Sequence, residues 1–523
     1  MLDLVIADAL LVDGTGSAPR RASVGVAGDR VAVIWPSVFP AAHRTVAAGG
    51  RALCPGFVDV HNHSDLSPLV MPEMPSTVRM GVTTVVVGNC GSSPWPLAGW
   101  SEAVSLAYGK PDETERPSWR SYGEYLDALG ATKPAVNVAT LVGHGSIRLE
   151  VMGEQRRPPD DAELATMGTF AGQAVADGAF GMSTGLIYVP GIHSRSDEIV
   201  ALARAAGRAG GLYASHIRGE GRDLFAALDE AIAIGRRAEL PVHVSHLKCE
   251  SARVWGRAGD VLERLRAGAA TGDQYPYAAW NSSLASLLPP WAPVHEIATL
   301  VGDDDTRRRL RAAVEEGEVA FQSSIDGVGW ERIVVVDTAD ATWRGLDVAT
   351  IAGAMSVEPF DAFVALLMAD AQTSCIGHAM QNDDVATFLA DPEVFVASDA
   401  SATAPDGPGG DLPVHPREYG TFPRALAMAR DEVSLPLEAV VRKMTSLPAD
   451  RFGLVGRGRI EVGAFADLVM FEPSAVADVA TYEMPHRFPV GIDLVVVNGA
   501  VAWEPGASAI ARRGRALRRG GSG

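Results

Sequence analysis

In the run Gly56-Phe57-Val58-Asp59-Val60-His61-Asn62-His63-Ser64-Asp65, two histidines separated by one residue follow a short apolar stretch. Side chains of an extended chain alternate in direction, so both imidazoles project from one face and can reach a single metal ion. Taken alone, H-x-H reads equally well as two polar residues at a strand end. Four further positions shift the balance. Val85-Val86-Val87-Gly88-Asn89-Cys90-Gly91 runs into a cysteine, Tyr213-Ala214-Ser215-His216 and Val242-His243-Val244-Ser245-His246 each close on a histidine, and Val394-Phe395-Val396-Ala397-Ser398-Asp399 closes on an aspartate. Each has an ordinary reading: Cys90 as a small core residue, His216 and His246 as polar strand ends, Asp399 as a helix N-cap. Together they supply thiolate, imidazole and carboxylate, the ligand types of a zinc centre.

Such ligands need a scaffold that brings distant strand ends to one place. The middle of the chain alternates apolar strand-like runs with helical patterns such as Asp223-Leu224-Phe225-Ala226-Ala227-Leu228-Asp229-Glu230-Ala231-Ile232, the signature of a parallel sheet with crossover helices. Strands are expected to end near His63, Cys90, His144, Tyr188, His216, His246, Tyr277 and Asp399. Eight such units predict an α/β fold, a (β/α)8 barrel over residues 55–450, with its chemistry at the C-terminal ends of the strands. Residues 281–392 are too many for one connection and predict an inserted lid or subdomain before the last strand. Residues 1–54 and 451–523 read as short strands with turns, which together predict one small β-sandwich built from both chain ends.

Alternation along the sixth run places His246 and Lys248 inward and turns His243 toward the helical layer, as a structural residue. His144, at the third strand end, is a candidate for touching substrate. The chain has 523 residues, 47% hydrophobic and 21% charged, enough to bury a large core. A net charge of −19 opposes binding to nucleic acid or anionic membranes. The N-terminal stretch lacks a basic leader, and no apolar run approaches the roughly 18 residues of a membrane span. A cytoplasmic location is expected, with the four cysteines (Cys54, Cys90, Cys249, Cys375) kept as thiols.

Several longer segments carry a resemblance. Beside the H-x-H run stand Gly88-Asn89-Cys90-Gly91, Ser215-His216-Ile217-Arg218, Ser245-His246-Leu247-Lys248, Asp273-Gln274-Tyr275-Pro276-Tyr277, Ser398-Asp399, and His415-Pro416-Arg417-Glu418-Tyr419-Gly420-Thr421-Phe422-Pro423-Arg424. With the closing Gly463-Ala464-Phe465-Ala466-Asp467-Leu468-Val469, the chain resembles the amidohydrolase superfamily and, within it, the N-acyl-D-amino-acid deacylases. H-x-H marks only the superfamily, whereas G-N-C-G with H-P-R-x-Y-G-T-F-P-R marks the deacylase branch. The resemblance implies that Cys90 takes the bridging place filled in many relatives by a carboxylated lysine. It further implies a tight zinc site of Cys90, His216 and His246 and a weaker one lined by His61, His63 and Asp399. Tyr188, Tyr277 and Ser283 would bind substrate.

The chemistry implied is zinc-dependent hydrolysis of the amide of an N-acyl-D-amino acid, with Asp399 shuttling a proton from water to the leaving amine. A free carboxylate on that substrate calls for cationic partners. Lys248, two residues past a ligand, is placed for this; Arg218, also two past a ligand, either binds substrate or pairs with an acid. A cyclic-amide hydrolase of dihydroorotase or hydantoinase type would use the same metal chemistry, and a non-catalytic scaffold would require missing ligands.

Overall fold

The computed structural model describes residues 1–35, 41–99, 117–318, 321–407, 410 and 414–521. Eight strands, Phe57–Asp59, Val82–Val87, Asn137–Gly143, Gly181–Gly185, Leu212–His216, Val242–Val244, Thr271–Gln274 and Val394–Val396, pair in chain order, each parallel to the next. The barrel closes just beyond the last strand, where Asn62 bridges Ala400 in parallel and the Asp399 N–H donates to the His61 carbonyl at 2.8 Å. Asp59 fastens the same seam, accepting from the Ser398 N–H at 2.9 Å and from its hydroxyl at 2.5 Å.

Strands covered on both faces are largely apolar and β-branched, and all six residues of Val82–Val87 are buried. The crossover helices show the complementary stripe. In Ser196–Arg208, Ile199, Val200, Leu202, Ala203 and Ala206 are buried. Asp161–Asp177 begins with a reciprocal capping box between Asp160 and Glu163, which satisfies two of the free N–H groups at a helix start.

The inserted region is a subdomain with its own core. Strands Trp280–Ser283 and Ile333–Asp337 pair antiparallel with Ser374–Gly377 between them, and Leu284, Leu310, Ile333, Val335, Phe360 and Phe363 pack into one cluster. The expected bound at residue 392 shifts, because helix Asn382–Ala390 buries Val385, Phe388 and Leu389 against the barrel core and thus serves as the seventh crossover helix.

The two chain ends build one continuous eight-stranded sheet. Strand Leu2–Leu11 pairs with Ala42–Ala47 along its first half and with Ala52–Pro55 along its second, and it bends at Asp8, which takes a φ of 55° at a bulge. Strands Leu468–Phe471, Ile492–Val497 and Ala500–Trp503 extend the sheet beyond Ala52–Pro55. All four cysteines are free thiols. Among the described residues no single helix is long and apolar enough to cross a membrane.

Candidate metal centre

The donors lie two to four residues past the hydrogen-bonded strand ends, or on the last strand residue in the case of His216, where the chain must turn to bring a side chain over the barrel mouth. Cys90, His246 and Asp399 achieve this in the left-handed region, with φ of 52°, 34° and 52°. Such backbone costs energy in any residue but glycine and concentrates at functional sites. The glycines around Cys90 follow from the same crowding: a Cβ on Gly88 would sit 1.9 Å from the Leu141 carbonyl oxygen, and one on Gly91 2.6 Å from the Gly185 nitrogen.

Two donor clusters result, His61, His63, Cys90 and Asp399 in one and Cys90, His216 and His246 in the other, with the ligand atoms of each within 4.8 Å of one another. Cys90 belongs to both, its Sγ 3.3 Å from His61 Nε2 and 3.4 Å from His246 Nε2. His246 Nε2 lies 2.9 Å from His216 Nδ1. Asp399 Oδ1 lies 3.1 Å from His63 Nε2 and 3.3 Å from His61 Nε2. These are about the separations kept by atoms that each stand 2.0–2.3 Å from one ion, and a thiolate with two imidazoles is a zinc-type donor set. The residues therefore fit a metal, and Cys90 is placed to bridge two.

The electrostatics agree with that geometry. Burial pushes the Cys90 thiol up, but the charges of His61 and His246 and hydrogen bonds from His216 and His246 outweigh it and hold the group well below its ordinary value. Burial likewise opposes ionisation of Asp399, yet Arg417, His246 and His61 keep it well below the usual carboxylate range. Against the desolvation that disfavours its charged form, His63 is raised to about 10 by its bond to Asp399 and by Cys90.

Two buried carboxylates stand behind the ligands. Asp273 lies 3.6 Å from His61 Nδ1 and 2.7 Å from His243 Nε2, and accepts from the His246 N–H at 2.9 Å; His243 is thus a structural residue stacked on Phe395. Glu220 Oε1 lies 3.0 Å from His246 Nδ1, the carboxylate–histidine arrangement that fixes a metal ligand's tautomer and orientation. The same carboxylate accepts from Lys248 Nζ at 3.0 and 3.1 Å. Burial works against the charge of Glu220, and Lys248 overcomes it, holding the carboxyl at about 2.

The substrate-side expectations divide. Tyr188 sits beside the donors, its ring edge-to-face with that of His216 at 5.0 Å between centroids, with Cys90 and Asp399 close enough to add to the upward push of burial on its hydroxyl. Lys248 is inside the site but already matched by Glu220. Tyr277 is a correction: its hydroxyl donates to Asp478 at 3.3 Å and its ring packs on His415. The chain reverses at Pro276, where the Tyr277 N–H bonds back to the Tyr275 carbonyl at 2.9 Å. Tyr275 takes the inward place instead. Ser283 is exposed, and its hydroxyl accepts from the Ala285 N–H at the start of a short helical turn. Of the two readings of Arg218 the structure takes the second, for its guanidinium pairs with Glu230 at 2.9 and 3.1 Å, and its place among the substrate-binding residues is corrected accordingly. His144 pairs with Glu198 at 2.9 Å rather than facing the donors.

Sequence reasoning missed Glu220, Tyr275 and Arg417. Arg417 Nη1 donates to Asp399 Oδ2 at 2.8 Å. Its guanidinium lies 4.8 Å from the Tyr275 ring centroid, and Lys248 Nζ lies 5.7 Å from the same centroid. The Tyr275 hydroxyl is buried and, among the described residues, has no hydrogen-bond partner. Arg417 is the third residue of the H-P-R segment and was visible only as part of a motif; Glu220 follows His216 by four residues.

A barrel with these donors at its strand ends defines a metal-dependent hydrolase of amidohydrolase type, and the chain belongs to the amidohydrolase family, whose pattern matches residues 44–502. It is 36% identical to a D-aminoacylase of Alcaligenes xylosoxydans xylosoxydans over 99% of this chain and 98% of that protein. It is 35% identical to an N-acyl-D-glutamate deacylase of the same organism, over 100% of this chain and 97% of that one. The crystal structure of an N-acyl-D-glutamate deacylase from Bordetella bronchiseptica, complexed with zinc and a phosphonate mimic of the tetrahedral intermediate, superposes with a TM-score of 0.82 at 33% identity, covering 99% of each chain.

Proposed function

We propose that this protein is a zinc-dependent hydrolase that cleaves the amide bond of N-acyl-D-amino acids, releasing a carboxylate and the free D-amino acid. The observation that carries the reading is the pair of donor clusters sharing Cys90 beside two buried cations, Lys248 and Arg417, packed around one tyrosine ring. A metal centre beside cations suits a linear amide that bears a carboxylate. The D configuration is supported by the names of the relatives.

Cys90, His216 and His246 would hold one zinc tightly, and His61, His63 and Asp399, with Cys90 shared, would hold a second more weakly. Bound zinc lowers the pKa of its water toward about 7 and polarises a carbonyl oxygen. The remaining work belongs to the chain. Asp399 is kept ionised by Arg417 on Oδ2, while Oδ1, which faces the donors 3.1 Å from His63 Nε2 and 3.3 Å from His61 Nε2, would take a proton from the attacking water and return it to the departing nitrogen. That return matters because an amine cannot leave as an anion. The Tyr188 hydroxyl, held neutral, is a donor to the oxygen on which charge develops. Arg417, Lys248 and the unpartnered Tyr275 hydroxyl receive the substrate carboxylate, with Arg417 the better match for a two-pronged contact.

The test is release of amine from a panel of N-acetyl-D- and N-acetyl-L-amino acids and their carboxamides. Turnover confined to D-substrates bearing the free carboxylate is expected. Hydrolysis of cyclic amides with none of the panel cleaved would overturn the reading.

A further inference from the structure

We propose that Arg218, together with Glu230, is a positioning residue that sets Tyr188 over the metal cluster; this rests on the reading of Tyr188 as the donor to the substrate carbonyl oxygen. Tyr188 lies on the segment between the fourth barrel strand, which ends at Gly185, and helix Ser196–Arg208. Nothing in that segment forms a strand, and its only regular piece is a single turn, Gly191–His193. Its position is set by contacts at its two ends, and both come from the end of the fifth strand.

At the near end, the Leu186 N–H donates to the carbonyl of the ligand His216 at 3.1 Å. At the far end, Arg218, two residues on from that ligand, donates from Nη1 to the Ile192 carbonyl at 3.2 Å and from Nη2 to the Ser194 carbonyl at 3.1 Å. Between them the Ile192 N–H donates to the Tyr188 carbonyl at 2.7 Å. The residue gripped by Arg218 therefore grips the tyrosine. Glu230 fixes the guanidinium through its two-pronged contact and also accepts the Ser196 hydroxyl at 2.7 Å, tying the start of the following helix to the same point. A planar fork serves two carbonyls and one carboxylate at once, which an ammonium cannot do. One strand end thus supplies a metal ligand, His216, and the anchor of the tyrosine that faces it, so their separation does not depend on the loop's own stiffness.

A double-mutant cycle on the zinc-loaded full chain tests this. Arg218→Met should lower kcat for an N-acyl-D-amino acid about 100-fold, the cost of a misplacement near 1 Å, with KM and zinc content close to the parent. Arg218→Lys should recover part of the loss. In a Tyr188→Phe background, Arg218→Met should cost almost nothing more, because two residues acting through one contact are non-additive. Hydrogen exchange at Leu186 and Ile192 should quicken in Arg218→Met, a readout that needs no substrate. Fully additive losses would overturn the proposal, as would loss of zinc in step with kcat, which would make Arg218 a support of His216 instead. If Arg218→Met does not fold, Glu230→Gln, whose single acceptor oxygen can keep Ser196 and Arg218 Nη2 but whose amide nitrogen cannot accept from Arg218 Nε, runs the same cycle with a smaller expected loss. Parent-like turnover in Tyr188→Phe would remove the reading of Tyr188 and the clamp with it, whereas inactivity of the parent on every N-acyl-D-amino acid would refute the substrate alone and leave the exchange result to decide.

Discussion

Glu220→Gln is the perturbation that separates the metal site from its support. The carboxylate is 5% exposed and serves three contacts near 3.0 Å, two from Lys248 Nζ and one from His246 Nδ1. Removing its charge leaves the Lys248 ammonium, 6% exposed, without a counterion. Breaking a buried pair from one side costs about 3–5 kcal/mol, and because glutamine still offers one acceptor oxygen the lower end is expected. His246 loses a charged partner on the nitrogen opposite its metal face, which typically costs about 10–100-fold in metal affinity. The two effects are read separately, by urea unfolding of the metal-free protein and by competition for zinc with a chelator. Adding Lys248→Met should restore most of the stability, since removing both partners of a buried pair is close to neutral. It should not restore zinc affinity, because the amide still faces His246. A Glu220→Gln protein with parent-like zinc affinity and unfolding midpoint would refute the reasoning, and a double variant no more stable than the single one would refute the ion-pair part of it.

Three further outcomes are expected. Cys90→Ala should purify nearly metal-free by elemental analysis, and full zinc occupancy would return the cysteine to a packing role. Asp399→Asn should keep the tightly held zinc and lose most turnover, about 10²–10⁴-fold for a missing general acid or base; near-parental kcat would end the shuttle assignment. Lys443 is fully buried, with Nζ donating to the Phe388 and Leu389 carbonyls at the end of helix Asn382–Ala390, and burial pushes it down from 10.5 to about 7. The folded chain then binds fewer protons than the unfolded one between those values. Stability should therefore be flat below about pH 7 and rise above it, by at most about 1.4 kcal/mol per pH unit. Lys443→Met should flatten that rise in urea midpoints measured from pH 7 to 9, and an unchanged slope would assign it to other groups.

Much of the site was legible because a parallel barrel repeats one rule. The runs before the donors are largely apolar, so a cysteine, histidine or aspartate at their ends stands out, and five such ends reach one place only if the strands close on themselves. The glycines of Gly88-Asn89-Cys90-Gly91 were legible only as part of a motif, and the closed barrel supplies their reason, backbone that passes close to its neighbours. What failed was the extension of two-residue alternation past the last ladder bond. The seventh strand ends at Gln274, and by Tyr277 the chain has already turned back on Tyr275. The sixth ends at Val244, and His246 reaches the donors through a φ of 34° rather than by continued extension. Lys248 was placed by the same count, and its charge proved to be shared with Glu220 through a contact between two different loops. Arg218 shows the same limit from the other side. A guanidinium two residues beyond a ligand is compatible with substrate binding or with bracing a neighbouring loop, and the choice rests on carbonyls at Ile192 and Ser194 that any side chains there would have presented equally. Ligands announce themselves by residue type, whereas the groups that hold them in place work largely through backbone atoms and partners distant in the chain, and those contacts exist only once the barrel has closed.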